Sequence, residues 1–303
     1  MSEDSRYFNA LNETVAGITT TLSGKGIDVR HLHFGGELPV EPKIFVPTDA
    51  RSEFLANRAM GDWAENKLSE SIVGTPEMRL SPVHYGDSDL TAAGEEGFKE
   101  QYLASKEHTR KYGKRPDLLL FPTGHSVPGD ISLLPRSEAD DFARQATAAI
   151  EVRSSKQQAI KYMKVRQEES KLSGKKMGKI GLSFTVKVED LRIVYRWIQV
   201  CQIPQIYSQV FFDSVYAINV IDIFRVISTG AGFTIETPAK SQNKATIMIP
   251  ITTGTQIGEF TSPPEFAVEK KETKLGRIDA FVKPVGGTLK LNPNALHAVL
   301  QTS

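Results

Sequence analysis

Apolar positions recur at helical spacing near the start of the chain, at Phe8, Leu11, Val15, Ile18 and Leu22, and Gly24 ends the run. This predicts a helix over 5–23. Pro and Gly then follow at short intervals over 27–48, the pattern of loop with short strands. A clearer helix is predicted from about Asp49, with Phe54, Leu55, Ala59, Trp63 and Leu68 on one face and Gly74 and Pro76 as stops. MRLSPVHYGDSD (78–89) reads as strand and turn, and AGEEGFKEQYLASKEHTRKYG (93–113) as a surface helix closed by Gly113. A strand from Pro116 to Phe121 comes next, then a Pro/Gly-rich loop and a short helix with Ser137 as its N-cap. A strand around Ala149–Arg153 precedes SSKQQAIKYMKVRQEESKL (154–172), a basic helix ended by Gly174. LSFTVKVEDL (182–191) is expected as a strand, and IVYRWIQVCQIPQIYSQVFFD (193–213) as strand, turn and strand. VYAINVIDIFRVIST (215–229) fits a strand or a buried helix, and periodicity alone leaves both open. From 230 onward the pattern is mostly β. With no internal repeat and no flexible linker, the expected organisation is one compact unit over 1–303, with an N-terminal arm (1–48), a core (49–227) and a β-rich C-terminal lobe (228–303).

Composition adds bounds. The 303 residues, 40% hydrophobic and 24% charged, can bury a sizeable core. No apolar run approaches the roughly 18 residues that cross a bilayer, so no membrane partner is expected. The polar, acidic N-terminus lacks the layout of a secretion signal, and the lone Cys201 can form neither an internal disulfide nor a CxxC cluster. A reducing, cytoplasmic location is expected. The net charge of +1 hides an asymmetry. Residues 1–100 carry 9 basic and 17 acidic side chains, whereas 152–200 carry 12 basic and 4 acidic, a net of +8 in 49 residues. Such a block is the footprint of a polyanion-binding face, although Lys-rich helices are also common as plain solvated surface.

Two strands carry acids where apolar residues would be easier to bury: Asp117 opens RPDLLLF, and Glu151 interrupts AIEVRSSK beside Arg153. Strand alternation sends Glu151 and Arg153 to one face, about 7 Å apart, while Ile150 and Val152 point to the other. If the two strands are neighbours, Asp117 and Glu151 converge. Paired carboxylates beside a basic surface suit Mg²⁺, which takes oxygen ligands and leaves positions for water and phosphate, and so suit phosphodiester hydrolysis. A plainer alternative has Asp117 capping a turn after Pro116 and Glu151 pairing locally with Arg153.

The pattern RPD … IEVR resembles the bipartite signature of the PD-(D/E)XK nuclease superfamily. MGDWAEN, with Gly61 and Glu65, is similar to that superfamily's leading helix, and QAIKY (Gln158 to Tyr162) to its Q-x-x-x-Y element. The order α, β, β, α, β around 50–190 suits its core. KYGKRPDLLLF, AIEVRSS, SFTVKVEDL and WIQVCQIPQIYSQVFFDSVYAI together resemble type II restriction endonucleases of the AccI type over roughly 105–225. The resemblance implies an α/β fold, a mixed central sheet flanked by helices with a β-rich C-terminal lobe, and makes 49–227 its catalytic core. It implies a homodimeric enzyme that uses Mg²⁺ to cut double-stranded DNA at a short site. Asp117 and Glu151 would be the metal ligands, Arg153 the assisting cation and Glu65 a further acid. Two departures stand out: Arg153 replaces the signature's Lys, and 34 residues separate Asp117 from Glu151. Lys156 is the alternative cation, five residues past Glu151 at the expected start of the basic helix.

Gln157, Gln158, Lys161 and Lys164 on that helix, with Lys175, Lys176 and Lys179 beyond, are the expected DNA-binding residues, and a polar loop with Lys240, Gln242, Asn243 and Lys244 is a candidate for base reading. The other readings are a repair or recombination nuclease of the same fold and a non-catalytic DNA-binding protein with a degenerate site. His31 and His33 form a pair without a third ligand, Gly174 to Lys179 lacks phosphate-loop spacing, and His84, His108 and His125 are expected to be structural or solvent-facing.

Overall fold

The computed structural model describes residues 3–29, 32, 34–35, 52–86, 98–174, 181–237, 245–272, 276 and 278–301. Helices α1 (Glu3–Gly24) and α2 (Ser52–Val73) precede strand β1 (Leu80–His84). Then come α3 (Phe98–Tyr112), β2 (Leu118–Pro122), α4 (Arg136–Ala143), β3 (Ala148–Ser154), α5 (Ala159–Ser173), β4 (Ser183–Lys187) and α6 (Val188–Cys201). The chain continues through β5 (Gln205–Val210), β6 (Ser214–Asn219), α7 (Val220–Thr229), β7 (Thr234–Glu236) and β8 (Thr246–Pro250). It closes with β9 (Thr255–Ser262), β10 (Glu265–Glu272), β11 (Ile278–Val285), β12 (Thr288–Leu291) and α8 (Pro293–Leu300).

Seven strands form a mixed sheet in the order β1-β2-β3-β5-β6-β9-β12. Every neighbouring pair is antiparallel except β3 and β5, which run parallel. A parallel pair needs a long crossover, and α5, β4 and α6 supply it. Alternation on β3 feeds two cores. Ala148, Ile150 and Val152 pack with Trp63 and Leu68 of α2 and Leu296 of α8, while Ala149 faces the layer of α1, α6 and α7. The result is a helix–sheet–helix sandwich, the mixed α/β class expected. The β-rich C-terminal part is present, and its strands β9 and β12 are woven into the central sheet. β4, β8 and β7 make a small second sheet, and β10 pairs with β11 as a two-stranded ribbon.

Three local expectations are corrected, and one segment left open is resolved. Residues 188–201, expected as strand, are α6: Leu191, Val194, Trp197, Ile198 and Cys201 are buried at helical intervals, and that period overrides the β-propensity of Ile193, Val194 and Val200. The segment left open at 215–229 is both alternatives in turn. Strand β6 ends at Asn219, whose side chain accepts a hydrogen bond from the Ile221 amide and starts α7. Ser137 is not an N-cap, because α4 begins at Arg136 after Pro135, and Pro at that position already fixes its own φ. Strand β4 leaves the central sheet, so the core strand that follows α5 is β5, beyond residue 190. The helix α8 and the strand β9 were not anticipated.

Candidate active site

β2 and β3 run antiparallel with Leu118 opposite Ile150, which sets Asp117 across from Glu151. At this end the Asp117 carbonyl faces the β1 side and accepts hydrogen bonds from the Tyr85 and Gly86 amides. Its carboxylate reaches the opposite neighbour: Asp117 Oδ2 accepts from the Val152 amide at 2.6 Å. Thus the half-buried Asp117 is not a strand opener but the bend before β2, locked to the neighbouring strand by its side chain.

Glu151 is 2% exposed. Its Oε1 pairs with the Arg153 guanidinium, Nη2 at 3.0 Å, and accepts from Lys114 Nζ, while Oε2 is buried without a hydrogen-bond partner. Arg153 also reaches Asp190 Oδ2 at 3.6 Å. Lys114 arrives through a close backbone passage. Gly113 sits at φ +92° where a Cβ would lie 2.3 Å from the Trp197 amide nitrogen and 2.4 Å from the Ile193 carbonyl oxygen, so only glycine lets the end of α3 lie against α6. The Lys114 amide then donates to the Ile193 carbonyl at 3.0 Å, aiming the side chain at Glu151.

Electrostatics join Glu65 to this group. Burial, with the charges of Asp62 and Glu151, pushes the Glu65 carboxyl up to about 7 against the opposing pull of Lys114. Burial raises Asp117 well above the carboxylate range, reinforced by Glu151 and Glu65. Burial works against the charge on Lys114 and on Arg153, but Glu151, Asp190 and Asp117 together outweigh it, joined by Tyr207 at Arg153, and each is held more firmly protonated than usual. Tyr207, paired with Glu151 across β5, is pushed up by burial and then by the same carboxylate. Three acids repel one another here, and one has a buried unpartnered oxygen; oxygen donors of this kind are what a hard divalent cation takes. As they stand, among the described residues, no three His, Cys, Asp or Glu side chains form a ready chelate.

Of the residues singled out from the sequence, Asp117, Glu151, Arg153 and Glu65 meet here. Lys156 does not start a helix: 155–158 is a loop, α5 begins at Ala159, and Lys156 lines a groove with Gln157, Gln158 and Lys161. Lys164 is exposed on α5, whereas Lys175, Lys176 and Lys179 lie outside the described residues, as do His31, His33 and the loop of Lys240, Gln242, Asn243 and Lys244. His108 meets Asp140 at 3.0 Å and belongs to a buried cluster with Arg115 and Tyr85. Lys114, Asp190 and Tyr207 were missed. A lysine directly after a helix-closing glycine and three residues before Asp117 was the only available signal for Lys114.

The model of one protein family, described as AccI restriction endonuclease, matches residues 24–182 and 171–303. No curated protein and no solved structure matches the chain. Among the described residues no helix is long and apolar enough to cross a membrane.

Proposed function

The chain belongs to the AccI restriction endonuclease family, and from that we propose that it is a Mg²⁺-dependent type II enzyme of the PD-(D/E)XK kind. It would hydrolyse phosphodiester bonds of duplex DNA at a short specific site, as a cytoplasmic homodimer. One observation carries this reading: a carboxylate placed in the central strand, buried, half satisfied by two cations and opposed by two further acids. A carboxylate kept in such a place at the expense of stability points to a charged ligand, since an unpartnered buried oxygen costs about 1–3 kcal/mol.

Asp117 and Glu151 are the residues that would hold Mg²⁺, with Glu65 as the further acid. The ion supplies charge neutralisation at the scissile phosphate and a lowered pKa for water. Asp117 is held rigid by Val152, so its free oxygen is oriented in advance of binding. Arg153 cannot accept a proton, because a guanidinium stays charged. Its role is to donate hydrogen bonds to the phosphate oxygens as charge develops on them. Lys114 is a compact ammonium on a flexible stem, about one-third exposed, and can pass from Glu151 to an incoming phosphate oxygen. Two copies related by a two-fold axis would set one such site on each strand of a palindrome.

Incubation with plasmid DNA, with MgCl₂ or with EDTA, tests the proposal. Discrete fragments that require Mg²⁺ support it. A smear would mean a nuclease without sequence preference, and intact plasmid that is nonetheless shifted on a gel would mean a DNA-binding protein.

A further inference from the structure

The loop that leaves the catalytic strand is held more firmly than its exposure suggests. The Ser155 amide donates to the Val210 carbonyl, and the Phe212 amide donates to the Gln157 carbonyl, both at 2.9 Å. Asp213 Oδ1 accepts from the Ala159 amide at 2.7 Å, and its Oδ2 from the Lys161 amide at 3.1 Å. Residues 155–161 are therefore fixed to the β5–β6 turn at four points, while the Lys156, Gln157, Gln158 and Lys161 side chains stand in solvent. With Tyr162 and Val165 of α5, Phe212 of the β5–β6 turn and Phe266 of the β10–β11 ribbon they line an open groove of about 520 Å³. The Phe266 ring packs edge-on against Phe212, centroids 5.2 Å apart, and is 59% exposed.

The wall chemistry selects among occupants. A carboxylate already occupies the amides that open α5, so this helix end is not an anion site. Two lysines give charge complementarity to a polyanion. The two neighbouring carboxamides can donate to phosphate, but each also presents the paired donor and acceptor that match the N6 and N7 edge of adenine. An exposed phenylalanine beside a valine suits a base methyl or sugar face. Rigid backbone beneath polar side chains is what sequence reading needs, since base edges differ by ångström-scale placement.

We propose that this groove reads the bases next to the scissile phosphate, with Gln157 and Gln158 on base edges, Lys156 and Lys161 on flanking phosphates and Phe266 on an apolar base face. The assignment rests on the nuclease reading above. The experiment is digestion of plasmid DNA of known sequence with MgCl₂, followed by sequencing of the cut ends. Wild type is compared with Gln157→Ala/Gln158→Ala and with Phe266→Ala. Rates are then measured on short duplexes with the wild-type site and with single-base changes. A structural defect lowers every rate alike, so the readout is the ratio between duplexes. The double variant should lower that ratio at least about tenfold at one or more positions, and Phe266→Ala should lower it at a neighbouring position. Unchanged ratios in both variants, with wild type cutting at a defined sequence, overturn this groove while leaving the nuclease intact. Cutting by wild type without any defined end sequence overturns this groove together with the site-specific reading above, and leaves a nuclease without sequence preference.

Discussion

Lys114 and Arg153 share one oxygen of Glu151, and removing them singly should separate their tasks. In Lys114→Met the buried carboxylate keeps Arg153 at 3.0 Å but loses an ammonium contact. A hydrogen bond to a charged partner contributes about 1.5–3 kcal/mol when buried. Lys114 is 32% exposed, so solvent screening brings the stability loss to about 1 kcal/mol. Catalysis should lose more, because in the proposed role the same ammonium meets charge that grows only in the transition state. One electrostatic donor of this kind contributes about 10²–10³ in rate. Lys114→Met should therefore cut at least about 100-fold more slowly under single turnover, roughly 2.7 kcal/mol, with Lys114→Arg recovering part of the loss. Arg153→Ala should fall by a similar factor, and Arg153→Lys should keep part of the activity. Lys156→Ala, on the groove rather than on Glu151, should stay within about tenfold. The assay is quenched-flow cleavage of a labelled duplex, with a denaturation curve for each variant. A folded Lys114→Met protein that cuts within about threefold of wild type, beside an inactive Lys156→Ala, would refute the placement of the cation.

Asp117→Ala and Glu151→Ala should each abolish Mg²⁺-dependent cleavage yet retain DNA affinity in a gel shift; near-normal cutting by either folded variant would remove that residue from the site. Gly113→Ala should destabilise the fold by at least about 1–2 kcal/mol from its left-handed backbone alone, and more from collision with Trp197, read as a lower urea midpoint; an unchanged midpoint would show that α3 and α6 part easily. Acid stability should depend on Asp140. Burial favours its neutral form, but hydrogen bonds from His108 and Tyr85 and the charge of Arg115 outweigh that and hold its pKa below the usual carboxylate value. A depressed carboxylate pKa stabilises the fold above the unfolded-state value near 4, and that contribution is lost as pH falls through the folded pKa. Asp140→Asn should thus be destabilised at neutral pH and should show a shallower loss of stability below about pH 4; parallel curves for the two proteins would contradict this.

Local patterning reveals most of the frame. The helices α1, α2, α3 and α5 and the strands β2 and β3 follow from period and from Gly and Pro stops, because each lies where intrinsic preference and burial agree. The failures fall where they disagree. α6 is rich in β-branched residues, and only its contact with the sheet makes the 191, 194, 197, 198, 201 spacing decisive. β4 looks like a core strand, yet pairing with β8, more than 60 residues downstream, draws it away. Glu151 on β3 was legible because alternation fixes the face a side chain takes, and Asp117 because it directly precedes the apolar run of β2. Lys114 was not, since its place depends on the contact between Gly113 and Ile193, eighty residues apart, which neither local pattern records.

The single parallel pair in the sheet also orders assembly in time. As the chain emerges from the ribosome, β3 finds β2 already made, but its other neighbour exists only after α5, β4 and α6 have followed. Until then one edge of β3 is an open ladder, and Glu151 has no Tyr207 beside it in register. Nascent chains that stop before residue 205 carry the acids without the sheet that buries them. Enclosure of Glu151 is thereby tied to completion of the chain through β5.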